Sequence, residues 1–195
     1  QETQYIASLL ANLEAVSRLE SEPALHERHP VDLADLVERV AARHRGVASG
    51  MGVDFNHSTP GQPVWADGDV TLIEQALNNL VHNALQYNHA GGHVALVLEA
   101  REDRFALRVS DDGPGIADKD LARLGESRFR SEDARSRRPD GMGLGLSIAQ
   151  DVARRHGFTL TLGNRPGGGF EAVLGGETRA RGKTGEDSKS EVLRP

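Results

Sequence analysis

Three short groups of asparagine, aspartate and glycine stand at spacings that permit chemistry on a flat, charged ligand. In Asn78-Asn79-Leu80-Val81-His82-Asn83-Ala84, Asn79 and Asn83 are four apart. On a helix they share a face, and Gln86 follows one turn further on. Asparagine is a middling helix former, so the pair costs helix propensity. An amide oxygen is a hard, neutral ligand that suits Mg²⁺ held together with phosphates. Asp111-Asp112-Gly113-Pro114-Gly115-Ile116 follows a strand pattern. Asp-x-Gly-x-Gly there lets the backbone turn sharply and come close to a flat ligand. The carboxylate can accept a hydrogen bond from an exocyclic amine such as that of adenine. Gly141-Met142-Gly143-Leu144-Gly145-Leu146-Ser147 opens a helix. Its glycines free the amides of a helix N-terminus to face phosphate oxygens. Singly, each group has an ordinary counterpart: a polar helix surface, a tight turn, a flexible loop.

The elements that must position these groups follow from periodicity. Ile6, Leu9, Leu13 and Val16 predict a helix over 5–20, with a stripe suited to a helical hairpin or coiled-coil seam. Residues 21–30 are polar, hold two prolines and read as a linker. Asp32 caps a helix with apolar face Leu33, Leu36, Val37 and Val40. Val53 and Phe55 alternate as in a strand, and Val64-Trp65 is a second extended piece. Asp69 caps a long helix to about Tyr87, with Ile73, Leu77, Leu80 and Ala84 in one stripe. Two strands follow, marked by Val94, Leu96, Leu98 and by Phe105, Leu107, Val109, with a turn near Glu102-Asp103. Residues 144–156 read as a helix, and 158–162 with 169–174 as a last hairpin turning through Asn164-Arg165-Pro166-Gly167. The expected fold class is α+β, a two-layer sandwich of one mixed sheet with helices on one face. Composition after Gly176 predicts disorder.

Composition bounds the function. The 195 residues suffice for one ordinary domain plus extras, and the net charge of −6 argues against nucleic acid as main partner. No run approaches the roughly 18–20 apolar residues of a membrane span, so no membrane contact is expected within this stretch. The absence of cysteine excludes disulfides, thiolate zinc sites and thiol catalysis, and fits a reducing, cytoplasmic setting.

The order and separation of the three groups together resemble the GHKL superfamily of ATP-binding domains (the Bergerat-type fold), and within it the catalytic domain of sensor histidine kinases. Asn79 to Ala84 resembles the N box, Val109 to Ile116 the first glycine box, and Gly143 to Ile148 the second. The likeness runs from about Pro30 to Gly176. It implies a dimerisation-helix end at 1–22, a linker at 23–30, an ATP-binding domain at 31–176 with a lid near 117–140, and a tail at 177–195. It implies ATP and Mg²⁺ as cofactors. Asn83 would then ligate the metal and Asn79 lie near the phosphates. Asp111 would hold the adenine amino group, Gly113, Gly115 and Ile116 would admit the base, and Gln86 and Tyr87 would border it. Gly141, Met142, Gly143, Leu144, Gly145 and Leu146 would wrap the phosphates, and Arg130 of the lid would neutralise their charge. The implied partners are the phosphoacceptor-histidine helix of the parent kinase, a response-regulator receiver domain and, in the full-length protein, a second copy of the chain. Most members of the resembled family are anchored in a membrane through segments outside such a stretch, and the sequence leaves open whether the parent protein is.

Three departures from the family pattern stand out. Gln86 occupies a position where relatives often carry Lys or Arg. Leu124 to Arg130 supplies one phenylalanine where the F box has two. No His-Glu-x-x-Thr-Pro phosphoacceptor motif is present, and His26-Glu27 lies in the linker. Two other readings follow: a pseudokinase acting as a protein-interaction module, or a GHKL-type ATPase, although the ATPases' general-base glutamate is replaced by Asn79.

Overall fold

The computed structural model describes residues 12–13, 28–121, 123–124 and 144–179. Helix α1 (Leu33–Met51) starts at Asp32, whose carboxylate accepts from the N–H of Ala34 at 2.9 Å, and ends at Gly52 with φ 68°. Helix α2 (Val70–Tyr87) starts at Asp69, which accepts from Thr71 N–H at 2.8 Å and Leu72 N–H at 3.1 Å. Both caps satisfy amides that the first turn leaves without partners. Helix α4 (Gly145–His156) closes at Gly157, and a single turn, α3 (Asp118–Leu121), begins the segment expected as a lid.

Five strands form the main sheet: β2 (Asp54–Ser58), β4 (His93–Arg101), β5 (Arg104–Asp111), β6 (Thr159–Asn164) and β7 (Phe170–Glu177). Their order is β2-β4-β5-β7-β6, with β2–β4 parallel and every other pair antiparallel. Side chains alternate across the pleat. Val94, Leu96, Leu98, Phe105, Leu107, Val109, Ala172 and Leu174 are buried beneath the helices. Arg108 and Glu171 form an ion pair on the opposite face. The expected α+β sandwich is therefore the observed one. Leu33, Leu36, Val37 and Val40 are fully buried, and each such side chain contributes about 1.5–3 kcal/mol of transfer free energy. Arg39 and Arg43 of α1 pair with Glu74 of α2 at the exposed edge of the contact between the two helices.

Two boundaries differ from expectation. The end of the presumed linker is strand β1 (His29–Asp32), which pairs antiparallel with β3 (Trp65–Gly68) in a separate two-stranded sheet. Pro30 is tolerated because it lies in a strand with a neighbour on one side only. Strand β7 continues to Glu177, and the first two residues beyond it are bound. Thr178 N–H donates to Asp103 O at 2.6 Å, and Arg179 N–H donates to Trp65 O at 2.7 Å. The rest of the tail lies outside the described residues, as does the helix expected over 5–20 apart from helical Asn12 and Leu13. Asn12 Oδ1 accepts from Gln75 Nε2 at 2.7 Å, one turn before Asn79.

Candidate functional site

Asp111 ends β5 in the middle of the sheet, with β4 on one side and β7 on the other. Its side chain is buried, and Oδ1 accepts from Gly113 N–H at 2.9 Å and Phe170 N–H at 3.2 Å. Both bonds use one oxygen, so Oδ2 retains its capacity to accept from a ligand. Burial pushes the Asp111 carboxyl above its ordinary range, partly offset by these two main-chain donors. Gly113 closes the turn under this carboxylate: a β-carbon there would lie 3.0 Å from Asp111 Oδ1 and 3.3 Å from Tyr87 O.

The asparagine face of α2 meets the start of α4. A β-carbon at Gly145 would lie 3.4 Å from Asn83 Nδ2 and 3.6 Å from Asn79 Cβ, so the second glycine group and the asparagine pair adjoin. Asn79 is buried, and its Nδ2 has no hydrogen-bond partner among the described residues. A buried donor without a partner costs about 1–3 kcal/mol, so its retention here calls for an acceptor. Helix α4 starts at Leu144, and no side chain among the described residues caps it. Its first-turn amides are thus left to the backbone, water or an anion. Asn78, beside the pair, faces the other way: its Oδ1 lies 3.1 Å from Nε2 of buried His44 on α1.

Gln86, Tyr87, Asn88, His89, Asp112, Gly113 and Pro114 line a groove of about 490 Å³. Tyr87 thus lies beside the first glycine group. Gln86 also borders this groove, but its Nε2 lies 4.0 Å from Met51 Sδ on α1. Gly141, Met142, Gly143 and Arg130 lie outside the described residues. Leu144 and Leu146 are half-buried and pack on the core at the start of α4.

Several residues that periodicity did not single out complete the site. Asp112 is exposed and binds the loop after α2. Its Oδ1 accepts from His93 N–H at 2.7 Å and Asn88 Nδ2 at 3.1 Å, and its Oδ2 lies 3.0 Å from His93 Nδ1. The main-chain donor of His93 is the largest of the influences that lower its carboxyl to about 2. The turn between β6 and β7 lies against the first glycine group through Asn164, Arg165 and Gly169. Its Asn-x-Pro-Gly composition signalled a turn, and nothing local signalled what the turn would touch.

The fold and this pairing of a strand-end carboxylate with an asparagine helix define a class of ATPase-type domain. Residues 68–175 match the family described as Histidine kinase-, DNA gyrase B-, and HSP90-like ATPase, more than half of the 195-residue chain, and the chain belongs to that family. It is 34% identical over 173 residues to the sensor-like histidine kinase SenX3 of Mycobacterium tuberculosis, covering 89% of this chain and 42% of SenX3. The chain thus spans about two-fifths of the length of that relative. The mycobacterial sensor histidine kinase MprB superposes with a TM-score of 0.68 at 27% identity, over 78% of this chain and 98% of the MprB chain. Full-length ShkA, solved in complex with AMPPNP, superposes with a TM-score of 0.73 at 27% identity, over 90% of this chain and 36% of ShkA. Within the GHKL superfamily this is the catalytic ATP-binding domain of the histidine-kinase type.

Proposed function

We propose that this domain binds Mg-ATP and donates the γ-phosphoryl group to a histidine on a dimerisation helix outside the chain, for relay to an aspartate of a response-regulator receiver domain. The observation that carries the reading is the buried, unpartnered Nδ2 of Asn79 on the face that meets Gly145. It is a donor awaiting an acceptor beside a helix N-terminus that no described side chain caps, which is where phosphate oxygens are favoured. Asp111 supports the base end of the ligand, because one carboxylate oxygen remains able to accept from an exocyclic amine.

In this reading Asn79 donates to a phosphate oxygen and the first amides of α4 hold the others. Asn83 offers its Oδ1 as a neutral ligand to Mg²⁺. Among the described residues no group of three or more His, Asp or Glu side chains is placed to hold a metal. The cation would therefore rest on the amide and on the phosphates themselves, as Mg²⁺ commonly does. When bound, Mg²⁺ supplies charge neutralisation on the triphosphate. The acceptor imidazole nitrogen attacks the γ-phosphorus, the bond from that phosphorus to the bridging oxygen breaks, and ADP leaves. Catalysis of such a step is mostly positioning and charge neutralisation. The hydrogen bond from Gln75 to Asn12 places Asn12 against α2, four residues before Asn79. Water activation is disfavoured, because the side chain at position 79 is an amide with no proton-accepting group at neutral pH.

Calorimetric titration of the chain with ATP, with and without Mg²⁺, tests the reading. Saturable binding that Mg²⁺ strengthens, with the Mg²⁺ effect lost in Asn83→Ala, is expected. Labelled ATP should leave acid-labile phosphate on a longer version of the protein that carries the acceptor helix, and little on this chain alone. Absence of ATP binding by the folded chain would rule the proposal out.

A further inference from the structure

Both ends of the first glycine group are tied to a turn far away in sequence. At one end, Arg165 Nη1 donates to Asp111 O at 2.9 Å and Phe170 N–H donates to Asp111 Oδ1 at 3.2 Å. At the other end, the Asn164 amide satisfies both main-chain groups of Ile116. Its Oδ1 accepts from Ile116 N–H at 2.8 Å, and its Nδ2 donates to Ile116 O at 2.7 Å. Two glycines make the approach possible. At Gly169, with φ 92°, a β-carbon would lie 1.9 Å from Asp111 O. At Gly115, with φ 68°, a β-carbon would lie 2.8 Å from Asn164 Oδ1. Neither site admits a side chain while the turn is in place, and both backbones are in the region that favours glycine.

The turn therefore fixes more than the path of the chain. One oxygen of Asp111 is held by two main-chain donors, one of them from Phe170 at the end of the turn, and that leaves the direction of the other oxygen settled. A hydrogen bond weakens steeply when its angle departs from linear. A carboxylate held in one orientation can thus reject a base that presents a carbonyl oxygen where adenine presents an amine. Held loosely, it can swing away and tolerate both.

We infer that Asn164 and Arg165 are positioning residues of the base-reading site, holding Asp111 so that it selects a purine with an exocyclic amine over one with a carbonyl at the same place. This deepens the proposed function and rests on it. Neither residue touches the reacting atoms. Both act through the loop that carries Asp111.

The test is the ratio of affinities for ATP and inosine triphosphate, measured by calorimetry on the whole chain and on Asn164→Ala and Arg165→Ala. The wild-type chain should prefer ATP. Each variant should lose about 3- to 10-fold of that preference, the range expected for removing one or two hydrogen bonds. A merely structural role would lower both affinities together or lower the melting temperature, and leave the ratio unchanged. An unchanged ratio therefore overturns the inference, with or without a general loss of affinity. Arg165 is exposed, so Arg165→Ala should keep its fold and decides the matter if Asn164→Ala does not. A wild-type chain that binds neither nucleotide would sink the proposed function itself. A selective wild-type chain with equally selective variants would sink only this assignment.

Discussion

Asp111→Asn should separate stability from function. In the wild type, Oδ1 of Asp111 accepts from the main-chain N–H groups of Gly113 and Phe170. An asparagine must turn its own oxygen to these two donors, because its NH₂ group cannot accept from them. Its Nδ2 then points where the ligand amine would lie, and a donor faces a donor. Loss of a hydrogen bond to a charged group costs about 1.5–3 kcal/mol, or roughly 10- to 150-fold in ATP affinity. The fold should gain instead. Asp111 has its carboxyl raised by burial, so its ionised form is the one the folded state disfavours. That group favours folding below its ordinary pKa, and the contribution is lost as pH rises through the raised value. At neutral pH the neutral amide should therefore leave the melting temperature unchanged or higher. Inosine triphosphate adds a sharper criterion: its carbonyl oxygen can accept from Nδ2, so the variant should bind it better than ATP. Calorimetry with both nucleotides, beside a thermal melt, reads all three quantities. An Asp111→Asn chain that melts normally and still prefers ATP would show that this carboxylate does not read the base.

Three further outcomes rest on the scaffold. Removing the α2 cap in Asp69→Ala should cost about 1 kcal/mol in urea unfolding, since the two amides it accepts from lose their partner. Gly169→Ala should lose at least about 1–3 kcal/mol, because a β-carbon would collide with Asp111 O unless the turn moves, and ATP binding should fall with it. Buried His156 accepts from Asp69 N–H at 2.9 Å and has its Nδ1 2.8 Å from Val152 O, which requires the neutral ring. Burial lowers its pKa from 6.5, and buried His44 shifts the same way. Below that value the unfolded chain takes up more protons, so stability should be full above it and fall as pH drops through about 6.5 and lower. Urea midpoints at about pH 7.5 and pH 5.5 should show the decline, and His156→Gln should flatten it.

Local signals located the elements that are controlled locally. Asp32 and Asp69 are both side-chain caps at the helix starts that pattern and composition indicate. The turn at Glu102-Asp103 joins β4 and β5 in register, with Ala100 opposite Phe105. Pairings that depend on distant partners were not legible. His29–Asp32 is a strand only because Trp65–Gly68 runs beside it, and its proline and its polar ends masked that. Strand β2 joins β4 in parallel across the whole of α2, and no nearest-neighbour signal in Asp54–Ser58 announces it.

The same division runs through the site, and it bears on what a glycine motif means. The spacing of Asp111, Gly113 and Gly115 was visible, and it suggested glycines that make room for a ligand. The structure gives Gly115 a second occupant to make room for, the Asn164 amide, and gives Gly169 the matching task against Asp111 O. The two positions are 54 residues apart (169 − 115), and each is constrained by the other's loop. A side chain at Gly115 should therefore disturb the β6–β7 turn before it meets any nucleotide. Loss of binding in such a variant would not by itself show that the glycine contacts the base. The discriminating observation is the bond it displaces. If Gly115→Ala and Asn164→Ala lower the preference for ATP by similar factors, and the double variant lowers it no further, the two act through one contact. If their effects add, Gly115 has a separate role at the ligand.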